Sequence, residues 1–402
     1  MNVQSSVSGK LTFGVVLVSL SLFVSPQSRA ETIRVALVQQ ASQLQISSSK
    51  NVRLRFPSRK TSVVSVPLRI LPSRNGIRIN GKPTRSSHVI IQSRTGELSI
   101  STSQHNRQGS GSSHPQRWSV SGVLEIHNQG TTLLAVNRVD LEAYVAGVVP
   151  SEISPKWPSE ALKTQAVAAR TYVLHKKLQA NDQKYDVVAS VQDQVYTGRS
   201  LVNQAIQKAI QETKGMVVTY ERRPIFAAYS STAAGPTEDA INVWDADLPY
   251  LKGVDCPFDE ESPKFEWEAT VGLRDLESQL RKAGYPVGTI ATFIPLSFTR
   301  AGRVNEIRML HSKGVLILRG QDFRKAVGYS VIPSTQFSIH RFGREVVFSG
   351  RGAGHGVGMC QWGAKEMAEL GYRYESILQY YYPGTQLLHL RKVDLSPPEL
   401  EE

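Results

Sequence analysis

Three stretches of the chain hold side chains that could do chemistry. The first is "VVPSEISPKWPSEALKTQAVAARTYVL", residues 148–174, with acids at Glu152 and Glu160. Pro150 and Pro155 flank Glu152, and each fixes its own φ, so the segment reads as a stiff loop ahead of a helix that starts near Ser159. Pro158 suits the first helical turn. A carboxyl group held beside Trp157 in such a loop is partly desolvated, which raises its pKa as a general acid at neutral pH requires. A surface glutamate favouring the positive end of the nearby helix would look the same. The residues alone leave both readings of Glu152 open.

The second stretch is "FSGRGAGHGVGMCQWGAKEMA", residues 348–368, with glycine at 350, 352, 354, 356 and 358. This spacing is not the dinucleotide fingerprint G-x-G-x-x-G. Alternate glycines strip one face of a strand bare, so another backbone or a ligand can approach closely. His355, between two of them, is either a ligand-binding or proton-moving group or a packed structural histidine. Gln361 and Trp362 suit a sugar, the amide for hydroxyls and the ring for an apolar sugar face.

The third stretch, "AAYSSTAAGPTEDAINVWDADLPYLKGVDCPFD", residues 227–259, runs from hydroxyls through a Gly-Pro turn to acids and Trp244. It suits a polar cleft wall, and the absence of G-x-S-x-G argues against a serine-hydrolase elbow. Cys256, His355 and Cys360 would supply three metal ligands if the fold gathered them, although their spacing matches no zinc signature. Cys256 and Cys360 are the only cysteines, and either a disulfide between them or two free thiols fits.

The elements that must position these groups read as a mixture. Residues 31–103 alternate apolar and polar in short strand-like runs: "TIRVALV", "VVSVPLRIL", "IRING", "HVIIQS" and "ELSISTS". Residues 104–117 are rich in Gly, Ser and polar types and read as a linker or long loop. A hairpin turning at Asn128–Gly130 follows, and then the helix from Ser159, with Ala161, Leu162, Ala166, Ala169, Tyr172 and Val173 on one stripe. Further helices are expected over "SLVNQAIQKAIQET", "LRDLESQLRKAG" and, last, "CQWGAKEMAELG", after which "YESILQYYYPGT" closes the body. Strands are expected at "GMVVTY", "PIFAAYSSTAAG", "VNEIRML", "GVLILRG" and "REVVFSG". Helices and strands mix without strict alternation, so the fold class is α+β: a mixed core domain over 118–390 with a smaller β-rich N-terminal domain over 31–103 and an acidic tail over 391–402.

Residues 1–30 read as a secretory signal peptide: one early lysine, a strongly apolar run of about 14 residues and a Ser-Arg-Ala end. Cleavage leaves 372 residues with no further segment apolar enough to cross a bilayer, exported to the periplasm or cell wall. The net charge of +13 is localised, because residues 31–115 carry 13 Lys/Arg against two acids and residues 116–402 carry 32 of each sign. A basic face can bind nucleic acid, but an exported protein seldom meets it. An acidic envelope polymer is the expected partner, and a merely solvated surface is the alternative.

Together the three stretches resemble the stage II sporulation protein D, or amidase-enhancer, family. The matching words are "LEAYVAGVVPSEISPKWPSEALKTQAVAARTY", "YSSTAAGPTEDA…W…LPYLKGVDCPFD" and "GRGAGHGVGMCQWGAKEMAELGYRYESILQYYYPGT", with "SFTRAGRVNEIRML" and "LRGQDFRKAVG" between them, over residues 118–387. The resemblance implies a lytic transglycosylase that cuts peptidoglycan between N-acetylmuramic acid and N-acetylglucosamine, leaving 1,6-anhydro ends. It implies that Glu152 is the catalytic acid. Trp157, Lys163, Gln165, Arg170, Ser231, Thr232, His355, Gln361 and Tyr381 fall in the matching words and are the candidate glycan-binding residues. It also implies a competing class, a non-catalytic modifier that binds glycan or a cell-wall amidase. In many relatives the serine stretch reads His-Ser-Thr-Cys, with a further Cys after the "PYLKGV" segment, residues that look like metal ligands. Here the stretch is Ser230-Ser231-Thr232-Ala233 and only Cys256 remains, so neither metal nor cofactor is expected.

Overall fold

The computed structural model describes residues 31–58, 60–102, 116–180 and 183–397. The expected signal segment, most of the polar stretch at 104–117 and the end of the tail lie outside them. Helix and strand are mixed, with a β-rich N-terminal region, as the α+β expectation has it.

The first half of the chain builds one large sheet. Its strands are β1 (Thr32–Ala41), β2 (Leu44–Ser47), β3 (Val52–Arg55), β4 (Thr61–Val64), β5 (Leu68–Ser73), β6 (Gly76–Ile79), β7 (Lys82–Pro83), β8 (His88–Thr102), β9 (Arg117–Asn128), β10 (Leu133–Asp140) and β11 (Val187–Val188). The order is β11-β1-β10-β9-β8-β2-β5-β6-β7, with β3 and β4 joining through β8. Two expected strands, "HVIIQS" and "ELSISTS", are one strand bent by a register shift between Gln92 and Glu97. β8 pairs with β9 as far as Ser101 opposite Arg117, and β1 pairs with β10. The sheet is therefore continuous across the boundary that the sequence suggests at 103–118.

Strand alternation gives the sheet two different faces. Val35, Val89, Ile91, Leu124, Ile126, Ala135 and Val139 turn inward and share a core with the helices. Ala36, Leu134 and Val136 turn outward into a small separate cluster beside Tyr185 and Val188.

β10 runs directly into α1 (Leu141–Glu152), whose first turn is capped by Asp140, its carboxylate accepting from the amides of Glu142 at 2.9 Å and Ala143 at 3.3 Å. α2 (Ser159–Gln179) is buried on every side between Ala161 and Leu174, rather than along the single expected stripe. It touches α1, α3 (Gln204–Glu212), β12 (Met216–Tyr220), α7 (Gln361–Glu369) and α8 (Tyr374–Tyr381), so even its polar Gln165 and Arg170 are enclosed.

β12 pairs with β13 (Arg223–Pro224) and β22 (Gln386–His389), followed by a short 3-10 turn at Leu390–Lys392. The expected strand over "PIFAAYSSTAAG" is reduced to β13 and β14 (Tyr229–Ser230), the latter parallel to β21 (Met359–Cys360). A further core, around Phe293, Phe323, Phe337 and Phe348, fills the region 266–351. It is enclosed by β15 (Glu266–Gly272), β16 (Ile290–Phe298), β17 (Val304–His311), β18 (Gly314–Arg319), β19 (Phe337–Phe342), β20 (Glu345–Arg351), α5 (Leu273–Lys282) and α6 (Gly320–Val327). The short helix α4 (Ile241–Trp244) precedes it.

Candidate active site

Glu152 is the last residue of α1, not part of a loop ahead of a helix as the flanking prolines suggest. Pro150 lies inside the final turn, and the chain leaves the helix at Ile153, whose amide still reaches the Val149 carbonyl at 3.1 Å. The carboxylate accepts a hydrogen bond from the Val195 backbone at 3.1 Å, and the Tyr229 and Gln361 side chains face it as further donors that lower its pKa. Burial is the larger effect and raises its pKa above the usual carboxyl value, while these three donors pull the other way. A carboxyl group surrounded by neutral donors, with its proton retained by desolvation, has the character of a general acid.

The two side-chain donors come from distant parts of the chain and meet through one short pairing. Tyr229 lies opposite Met359 and Ser230 opposite Cys360 in the β14–β21 bridge, so Tyr229 stands beside Gln361, which opens α7. Behind Tyr229 a buried chain of hydrogen bonds continues. Gln194 Nε2 donates to the Tyr229 hydroxyl at 2.9 Å, and Gln194 Oε1 accepts from Tyr144 at 2.9 Å. Burial and the neighbouring Glu152 charge push the Tyr229 pKa far up, so it remains a phenol. Gln361 Nε2 also donates to Gln165 Oε1 at 3.3 Å, and the buried Gln165 Nε2 has no partner. Trp157 meets Trp362 edge-on at 5.2 Å between ring centres, giving an aromatic wall from the segments on either side of Glu152 and Gln361.

The alternate glycines serve a close approach of backbone to backbone. A Cβ on Gly358 would lie 2.2 Å from the Ala228 carbonyl oxygen, and one on Gly354 would lie 2.4 Å from the Ser230 Cβ. Both have positive φ, +71° and +109°. The loop 352–358 is thereby pressed onto 228–233, which sets the β14–β21 register and brings Tyr229 and Gln361 to the same carboxylate.

The other candidates divide. Gln165, Gln361 and Trp157 gather with Glu152. Ser231 and Thr232 belong to the same wall, but Thr232 is fully buried and its hydroxyl bonds to Ser262 at 2.6 Å. His355 accepts the Val357 amide at Nδ1, bonds the Tyr229 backbone and meets Trp244 at 4.8 Å. Burial, with the positive Arg324 and Arg303 nearby, pulls its pKa down to about 3, so it is a neutral, locked imidazole behind Tyr229. Lys163 is committed to Glu160 and Glu212, both at 2.7 Å. Arg170 is fully buried and clasps Glu142 at 2.6 Å while donating to the Met216 carbonyl, so it ties α1 to α2. Tyr381 is fully buried, its hydroxyl 3.2 Å from the Cys256 sulfur. Tyr229, Gln194, Tyr144 and the Val195 amide were not among the candidates. Tyr229 sits within the quoted serine stretch, whereas Gln194 lies in a polar loop that carries no motif.

Cys256 and Cys360 are free, buried thiols. Their sulfurs and an Asp259 oxygen lie within 4.8 Å of one another, so Asp259 completes the trio expected of His355. Cys360 donates to Asp259 Oδ2 at 3.1 Å, and the amides of Ala233 and Ala234 donate to the same oxygen at 2.7 and 2.8 Å. The buried Arg303 guanidinium faces this group. Of the relatives' ligand positions only Cys256 carries a donor of the right type. Ser230 accepts the Gly356 amide and Ala233 offers no side-chain donor, so that ligand set is not reproduced.

Comparisons with known proteins give the family of the chain. A stage II sporulation protein family model matches residues 129–220, from β10 through α1 and α2 to β12. A model of a domain of unknown function matches residues 243–358, the region of the phenylalanine core. Stage II sporulation protein D of Bacillus subtilis is 31% identical over 312 residues, covering 71% of this chain and 88% of that protein. An uncharacterized protein of Brachyspira hyodysenteriae is 35% identical over 276 residues, covering 68% of this chain and 73% of its own. The amidase enhancer of Bacillus subtilis is 31% identical over 289 residues, 60% of this chain but 40% of that protein. The chain belongs to the stage II sporulation protein D family.

Proposed function

We propose that the protein is an exported lytic transglycosylase acting on the glycan strands of peptidoglycan, with Glu152 as its acid and base. The observation that carries this reading is the carboxyl group of Glu152, its pKa raised by burial and its lone pairs met by Val195, Tyr229 and Gln361. Protonated Glu152 gives its proton to the oxygen linking N-acetylmuramic acid to N-acetylglucosamine. The C1–O bond breaks with oxocarbenium character. The 6-hydroxyl of the same muramic acid closes on C1, and its proton passes to the Glu152 carboxylate, which restores the acid. No second carboxylate enters this cycle. Tyr229 and Gln361, both neutral donors, hold the anion formed midway. Trp157 and Trp362 offer ring faces for the sugars.

The relative named amidase enhancer favours a second reading, in which the cleft binds glycan or an amidase without cutting. Incubation of the mature protein with intact and amidase-treated peptidoglycan, followed by mass spectrometry, separates them. Anhydro-muramyl ends made by the wild type and lost in Glu152→Gln support the transglycosylase. Reducing ends mean a hydrolase. Binding without cleavage supports the modifier.

A further inference from the structure

A second cluster of potential metal ligands lies in the large sheet, away from Glu152. His88 on β8 stands directly opposite His127 on β9, and Glu125 is two residues from His127 on the same strand face. The imidazoles stack almost parallel, 4.3 Å apart and 4° from coplanar. Both Nε2 atoms point toward one oxygen of Glu125, at 4.0 Å from His88 and 3.8 Å from His127. These distances are too long for hydrogen bonds. Both Nε2 atoms are shielded from solvent and have no hydrogen-bond partner. Two buried orphan nitrogens converging on one carboxylate oxygen need an explanation, because a buried polar atom without a partner is costly and rare.

The gaps are close to those between the ligands of a bound cation. Zinc bonds of about 2.0–2.2 Å to nitrogen and oxygen place tetrahedral ligands about 3.4 Å apart. A small splay of the two rings would close the observed gaps around one ion. The surroundings fit such a site. Glu125 keeps its other oxygen on Arg138, 3.3 Å away, which fixes the orientation of the carboxylate. The cluster belongs to the outward face of the sheet, where Leu134 lies opposite His127 and Val136 opposite Glu125, and His88 is partly exposed, which leaves a path for an ion and a fourth, solvent ligand. The thiol group at Cys256 and Cys360 differs in this respect, since its donors are already engaged with Asp259 and Tyr381.

We propose that His88, Glu125 and His127 form a binding site for a divalent first-row cation of the zinc class, clipping β8 to β9 on the outer face of the sheet. Two imidazoles and one carboxylate suit zinc, nickel or copper rather than calcium or magnesium.

The test is titration calorimetry of the full mature chain with zinc chloride, on the wild type, His127→Asn, His88→Asn, Glu125→Gln and the double variant Cys256→Ser/Cys360→Ser. The expected result is one ion per wild-type chain, with equal affinity in the cysteine variant. Loss of an outer-shell partner alone weakens a site about 10–100-fold, so loss of a ligand in His127→Asn should weaken it at least that much. Absence of zinc binding by the wild type, or undiminished binding by His127→Asn, overturns the proposal. Should the histidine variants fail to fold, X-ray absorption on the zinc-loaded wild type decides. A shell of nitrogen and oxygen supports the site, and sulfur ligands overturn it.

Discussion

Tyr229 acts as a side-chain donor toward the Glu152 carboxylate and lowers its pKa, although 77 residues separate them and each is placed by a different element. This donor favours the ionised carboxylate, while burial favours the neutral acid. Removing it in Tyr229→Phe should raise the pKa of Glu152 further. In a pH–rate profile of anhydro-end formation, activity needs the protonated acid and falls as pH rises through that pKa. The wild-type alkaline limb is therefore expected above the ordinary carboxyl range, and Tyr229→Phe should move it to higher pH while lowering kcat about tenfold or more. A limb that stays in place would remove Tyr229 from the site.

Stability should change with pH in a defined direction. Because the folded-state pKa of Glu152 is raised, the folded chain holds the proton more tightly than the unfolded one. The contribution of this group to stability therefore falls as pH climbs from the unfolded pKa to the folded one. Glu152→Gln lacks that dependence. Urea unfolding at a series of pH values should show the variant gaining on the wild type as pH rises, and matching it below the unfolded pKa.

Gly358→Ala should be costly. The added methyl group meets the Ala228 carbonyl oxygen at 2.2 Å, and the residue sits at φ +71°. Strain of this kind costs about 1–3 kcal/mol, and relief by shifting the loop would part Tyr229 from Gln361. Chemical denaturation and the activity assay should both register the loss.

Arg170→Ala should destabilise by about 3 kcal/mol, because it removes the partner of Glu142 between α1 and α2. Arg170→Lys should rescue it only in part, since a single ammonium cannot replace a fork that grips both Glu142 and the Met216 carbonyl. Glycan binding by whichever variant remains folded should be unchanged, which separates a clasp from a substrate contact.

Thiol labelling should report two free cysteines. Both sulfurs are buried in the body, and burial pushes the Cys360 pKa up, so neither reacts readily. Alkylation without reductant should leave the native chain unmodified and add two groups after unfolding.

Much of this was legible in the sequence, and the exceptions share a cause. α3, α5, α7 and the hairpin at Asn128–Gly130 follow local signals: a cap, a glycine stop, an amphipathic period. Glu152 was found but misplaced. Prolines on both sides suggest a loop, whereas Pro150 sits in the last turn of a helix that Asp140 has already started. The single stripe expected on α2 fails because helices and strands enclose it completely, and single-sided periodicity has no meaning there. Arg170 and Tyr381 lie in motif words yet face the interior, since a motif records that a residue matters without saying whether it touches substrate or scaffold. Tyr229 and Gln194 were missed because their roles arise only when a two-residue parallel bridge closes over a gap of more than a hundred residues.

The direct passage from β10 through the Asp140 cap into α1 gives the acid a lever arm. A helix of 12 residues is about 18 Å long, so a tilt of roughly 5° at its capped end would carry the carboxylate about 1.5 Å. Misplacement on that scale can cost about a hundredfold in rate. Were the basic sheet to hold a charged polymer, load on it would reach Glu152 along this passage as well as through the core the sheet shares with α1, so that grip and reaction would be mechanically coupled.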